Sequence, residues 1–173
     1  MKRPETAARI VVGVDGSPES RRALAFAVDE AERRGVDLHV VSTIEPFPTW
    51  IEAYGASMPP IDQRLAGMRR VAERAVAEVL GDRTDPPTVH VEVVESFPAQ
   101  VLTDRSRDAD MLVVGSRGHG GLAGMLLGSV SMQCALHAHC PVTIVRPPMH
   151  ERAVDAAKVR HPARSERIVA PTY

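Results

Sequence analysis

The sequence predicts an α/β fold: an open, mainly parallel sheet of five strands with helices on both faces. Three observations carry that reading. Short β-branched apolar runs alternate along the chain with segments whose apolar residues recur at a 3.6-residue period. The first run, Ile10 to Val14, ends at the turn pair Asp15-Gly16. The fourth, Met111 to Val114, opens into a glycine-rich stretch, Gly115 to Ser131, that leads into a helical segment. Right-handed crossovers put all strand C-termini on one side. Asp15 and the glycine stretch therefore meet in a crevice between strands one and four, where open α/β sheets bind ligands.

The elements follow in order. After the first strand, Ser17-Pro18-Glu19 supplies an N-cap, a first helical position and an acid for the first turn. That helix carries Ala23, Leu24, Ala27, Val28 and Ala31 on one face and stops at Gly35. Asp37 to Ile44 reads as the second strand. The Pro- and aromatic-containing stretch from Glu45 to Pro60, with Trp50 and Tyr54, exceeds most connections in compact domains and reads as a binding lid or a surface loop. A second helix runs from about Asp62 to Leu80, with Leu65, Met68, Ala72, Ala75, Val76 and Val79 facing inward. The third strand, Thr88 to Glu95, alternates Val89, Val91 and Val93 against His90 and Glu92. Ser96 and Pro98 open a third helix to about Arg107. The fourth strand is Asp110 to Val114, the fourth helix Ser129 to His139, and the fifth strand Pro141 to Val145, closed by Pro147-Pro148.

Composition narrows the function classes. At 173 residues the chain suits one well-buried domain with little left for a second. A net charge of −1 argues against nucleic-acid binding driven by bulk charge, and 3% aromatic content against a stacking platform for single strands. No segment approaches the ~20 apolar residues of a membrane span, and the apolar run near the N-terminus is too short for a signal peptide. The expected location is the cytoplasm, with Cys134 and Cys140 as thiols.

Within the glycine stretch, Gly115, Gly118 and Gly128-Ser129 stand at G-x2-G-x9-G-S spacing. Glycines let the backbone approach a ligand closely, and a helix N-terminus offers unpaired N–H groups and a favourable dipole to an anion. The spacing points to a phosphate-bearing nucleotide. Gly118-x-Gly120-x-x-Ala123 fits a dinucleotide fingerprint, but no acid follows about 20 residues on, and Leu122 to Leu127 separate it from the helix start. A Walker A loop lacks its G-K-[ST] triplet. Arg117 reads either as a partner of phosphate oxygens or as an exposed loop arginine, and His119 as a solvated loop histidine rather than a general base. Cys134, His137, His139 and Cys140 form C-x2-H-x-H-C, a spacing that matches no usual zinc pattern. Metal ligands and catalytic residues are therefore both expected to be none.

Taken together, IVVGVDGS at 10–17, LHVV at 38–41, DADMLVVGSRGHGG at 108–121, GMLLGSVS at 124–131 and HCPVTIVR at 139–146 resemble the universal stress protein family, in its single-domain, ATP-binding type. The resemblance covers about 9–147. It implies a Rossmann-like fold, of the adenine nucleotide alpha hydrolase-like kind, with sheet order 3-2-1-4-5. Residues 1–147 would form the nucleotide-binding domain and 148–173 a C-terminal tail, flexible or surface-docked, with no fixed counterpart in the family. The resemblance implies ATP, alone or with Mg2+, as the bound nucleotide. Asp15 would contact ribose or adenine, and Thr43 the adenine side. Val114 and Gly115 would line the site, and Gly118 would approach the triphosphate through its backbone. Gly128, Ser129, Val130 and Ser131 would hold phosphate or ribose, with the hydroxyls as donors. A homodimer through Val142 to Val145 is implied, without nucleic-acid or membrane partners. The expected function is a nucleotide-dependent stress-response regulator. Its alternatives are a slow ATPase or self-phosphorylating enzyme, with Ser129 or Ser131 as acceptor, and a dimeric interaction module in which ATP is structural.

Overall fold

The computed structural model describes residues 8–46, 59–118 and 127–148. The stretch around Trp50 and Tyr54, His119 and the tail after Pro148 lie outside the described residues. Five parallel strands form one sheet: β1 (Arg9–Gly13), β2 (Asp37–Ile44), β3 (Val89–Glu95), β4 (Met111–Gly115) and β5 (Val142–Val145). Their order is β3-β2-β1-β4-β5, as predicted. Helices α1 (Pro18–Arg34), α2 (Ile61–Leu80), α3 (Pro98–Arg105) and α4 (Ser129–His137) make the crossovers.

Alternation along β1 explains the two-layered cover. Ile10 and Val12 point into one apolar cluster with Ala23, Leu24, Ala27, Val28 and Ala31 of α1 and Ala75 and Val76 of α2. Val11, one residue out of phase, points into the other, with Val101 and Leu102 of α3 and Cys134 of α4. A strand buried on both faces needs the unbroken apolar run seen in the sequence. Full burial of one such Val or Leu side chain contributes roughly 1.5–3 kcal/mol.

The helix ends obey local chemistry. Ser17 Oγ accepts from the Ser20 N–H at 3.1 Å, the N-cap the sequence predicts. The α1 helix stops at Gly35 in the left-handed region, φ 64°. The α3 helix departs from expectation at both ends. Phe97 occupies its N-cap position without a side-chain bond, and a 3-10 turn, Ser106–Asp108, replaces its last turn. Buried Ser106 explains the tightening: its hydroxyl donates to the Thr103 carbonyl at 2.6 Å and accepts the His139 N–H at 2.8 Å. That second bond also fixes the chain just beyond α4, which ends at His137 rather than His139.

Strand bounds shift by a residue. Arg9 joins β1 because it pairs with Asp37 and its N–H donates to the Asp110 carboxylate at 2.9 Å. Val14 lies beyond β1, although its N–H still donates to Val41. Gly115 belongs to β4, paired with Val145. The exposed–buried alternation expected of β3 holds only at its start, since Glu92 and Val94 are half-buried beneath the α3 side. Among the described residues, no helix is long and apolar enough to cross a membrane.

Candidate functional site

The chain reverses direction across the sheet between β1 and β4, with β2 and β3 to one side and β5 to the other. The C-terminal ends of these two strands therefore diverge around a crevice. Asp15 stands at its β1 side. The Ser17 N–H donates to Asp15 Oδ1 at 2.9 Å, closing an Asx turn, and the Asp15 N–H donates to Ser20 Oγ at 3.3 Å. Gly16 completes the turn at φ 87°, a conformation that favours glycine. Ser20 Oγ in turn donates to the Ser17 carbonyl at 3.0 Å. This small network fixes one oxygen of Asp15 while its side chain stays exposed.

The β4 side closes on it. A Cβ at Gly118 would collide with Asp15 Oδ2, so the second carboxylate oxygen and the bare Gly118 backbone share one space. At Gly115 a Cβ would lie 2.9 Å from the Glu19 carbonyl carbon, so this glycine lets β4 pass under the first turn of α1. Asp15 and Gly118 thus face each other closely, while Gly115 lies against Glu19. Val114 is buried in the core beneath them.

The segment 128–131 is pinned to the same place. Ser116 donates its N–H to Val145 at 2.8 Å, and its carbonyl accepts the Gly128 N–H at 2.8 Å. The Ser131 hydroxyl donates to the Ser116 and Gly128 carbonyls, each at 3.0 Å. Ser131 is 2% exposed. Its one hydroxyl proton is therefore committed to the main chain, unlike the free donor expected from sequence. Ser129 is exposed at the first position of α4, and Val130 packs against the cluster that contains Val114. Arg117 is half-buried, its Cα 3.4 Å from where a Cβ on Gly128 would lie.

Two helix N-termini border the crevice, and they differ. The α1 terminus is satisfied internally by Ser17 and carries Glu19 in its first turn. The α4 terminus has Gly128 as cap, no side-chain cap bond and no acid in its first turn. Among the described residues, the positive end of α4 is therefore the one of the two left without a side-chain cap.

Thr43 lies near the C-terminal end of β2, half-buried and in register with Val94 of β3. It shares the face of Val41, two residues beyond the last β1–β2 pair, Gly13↔Val41. Its neighbour Ser42, which sequence reasoning passed over, is 1% exposed and donates to the Val14 carbonyl at 2.6 Å. That bond ties β2 to the residue preceding Asp15. Ser20 and Ser116 were missed likewise, since serine near a turn carries no signal of what its hydroxyl or backbone will bond.

The C-x2-H-x-H-C run does not converge. Cys134 is buried in the core, its thiol pushed by burial up to about 11, while His137 and His139 are exposed.

The switch point of a five-stranded parallel sheet, with helices making the crossovers, defines the class: a doubly wound, Rossmann-like α/β protein. The sequence model described as the universal stress protein family matches residues 7–146, and the chain belongs to that family. It is 41% identical over 145 residues to a universal stress protein of Mycolicibacterium smegmatis, covering 80% of this chain and 45% of that protein. A universal stress protein of Mycobacterium tuberculosis is 39% identical over 141 residues, covering 79% of this chain and 46% of its own. The chain thus spans less than half the length of these relatives. Among solved structures, a universal stress protein in complex with cAMP superposes with a TM-score of 0.56 at 26% identity, covering 82% of this chain and 98% of that one.

Proposed function

We propose that the β1–β4 crevice binds an adenine nucleotide, ATP foremost, and that the protein acts as a nucleotide-dependent stress-response regulator. The observation that carries this reading is the contrast between the two helix ends: α1 caps itself, whereas α4 offers its N-terminus across from Asp15 and Gly118. Phosphates would sit over Gly118, Gly128, Ser129 and the main chain of Val130 and Ser131, held by the N–H groups of the first α4 turn and the Ser129 hydroxyl. Arg117 would add charge-assisted bonds to the same oxygens. Asp15 would accept from ribose or adenine, with Thr43, Val114 and Gly115 lining the base side. The related protein in complex with cAMP supports an adenine ligand. Mg2+ would ride on the phosphates, retaining most of its waters.

A regulatory role requires that nucleotide bind one conformation or one assembly better than another. A homodimer through β5 supplies such an assembly. β5 ends the sheet, and its four residues, Val142 to Val145, are half-buried, an edge that pairing with a second copy would cover. The residues outside the family match, 148–173 included, would then serve partners, and the cytoplasm is the compartment that fits an ATP ligand. Isothermal titration with ATP, ADP, AMP and cAMP tests the reading. One site per chain supports it, and no heat with any of the four rejects it.

A second reading is slow ATP hydrolysis or self-phosphorylation, favoured by the exposed Ser129 hydroxyl at the helix start where a terminal phosphate would lie. Ser131, turned inward, is the poorer acceptor. Phosphate release that vanishes in Gly118→Glu would support this reading, and release that persists would mark a contaminant.

A further inference from the structure

The far end of the sheet carries a second cluster that the nucleotide reading does not use. Parallel pairing of β2 and β3 puts His39 directly opposite His90, and Asp37 lies two residues before His39 on the same face. The two imidazole centroids are 4.7 Å apart. His90 Nε2 and Asp37 Oδ2 are separated by 3.3 Å. One ligand atom from each of the three residues falls within 4.8 Å of the others. These residues begin β2 and β3, whereas Asp15 and Gly118 lie at the opposite ends of the strands.

We propose that Asp37, His39 and His90 form a binding site for one divalent transition-metal ion of borderline softness, of which Zn2+ is the representative. Two imidazoles and a carboxylate are the donor set such ions take, with a fourth position left to water. Ligands about 2.0 Å from a tetrahedral ion stand roughly 3.3 Å apart, the spacing already present between His90 and Asp37. The site is open to ions from solvent, since the side chains of His90 and Asp37 are 52% and 40% exposed.

The charged neighbours are bonded to partners outside the three residues. Arg9, in register with Asp37, is engaged by Asp108: its Nε donates to the Asp108 carbonyl at 3.1 Å, and its Nη2 lies 3.3 Å from Asp108 Oδ2. Glu92 is held by Arg105, whose Nε donates to it at 2.8 Å.

Zn2+ titrated into nucleotide-free protein tests the site, read by calorimetry and by the assigned imidazole proton signals. The expected result is that about one equivalent shifts the ring signals of His39 and His90 together, and that His90→Ala and Asp37→Asn each weaken binding by at least about tenfold. Unshifted His39 and His90 signals at one equivalent would overturn the proposal, as would variants that bind Zn2+ like the parent. The signals in the unaltered protein decide the matter even if a variant fails to fold. Because no nucleotide is present, the outcome is independent of the β1–β4 crevice.

Discussion

Gly118 is bare where Asp15 needs the room: any Cβ on the glycine would run into Oδ2 of the aspartate. The loop after β4 and the turn after β1 are thereby fitted to each other across the crevice. The Ser17 N–H holds the other oxygen, Oδ1, so the carboxylate cannot swing aside without losing that bond.

A side chain at position 118 should therefore damage binding more than folding. Asp15 and Gly118 are both exposed, so little buried area is at stake. Gly118→Ala is expected to cost no more than about 1 kcal/mol of stability, the Asp15–Ser17 bond at stake, while weakening adenine-nucleotide binding at least about tenfold, or ~1.4 kcal/mol. Calorimetry and thermal melts on the same preparation check both halves.

The two serines of α4 should separate cleanly. Ser131→Ala removes the hydroxyl that bridges Ser116 and Gly128 and should cost about 1 kcal/mol of stability in urea denaturation. Ser129→Ala, at an exposed position, should leave the urea midpoint in place and lower nucleotide affinity alone.

Helix α1 offers a calibration of the core. Leu24 is fully buried, so Leu24→Ala should cost about 2–5 kcal/mol. Loss of the N-cap in Ser17→Ala should cost about 1 kcal/mol. Because Ser17 also holds Asp15 through its backbone N–H, which alanine keeps, nucleotide affinity should fall far less than stability.

Cys134 should be silent to thiol reagents in the native state, whereas half-buried Cys140 reacts. One thiol per chain should be labelled quickly at pH 8 and the second only on unfolding. Burial raises the Cys134 value from 9.0 to about 11, so the native state keeps a proton that the unfolded chain releases first. Stability from this group is complete below about pH 9 and declines as pH rises toward 11. Cys134→Ala should flatten that alkaline decline in a series of urea melts.

Much of the fold was legible because local and global preferences agree. Ser17-Pro18-Glu19 and Gly35 bound α1 where the sequence places them, and the β-branched runs at Ile10 and Met111 became the central strands. The crevice was legible too, since Asp15 and the glycine spacing mark the ends of adjacent strands. What the sequence hid is what depends on direction and register. Nothing local says that the Ser131 hydroxyl turns back to Ser116, fifteen residues away, rather than outward. Nothing local brings His39 to His90, because only the β2–β3 register makes them opposite. Residues that stand together in the sequence, Cys134 to Cys140, are scattered by the end of α4.

Binding of an adenine nucleotide in the β1–β4 crevice, through Gly118 and the α4 N-terminus, is the proposal on which the regulatory role depends. Its most direct test is ATP titration of the full chain alongside Gly118→Glu, whose side chain would fill the space beside Asp15 with negative charge. One ATP per chain is expected in the parent and no measurable binding in the variant, with both proteins folded. Equal binding in the two, or none in the parent, would contradict it.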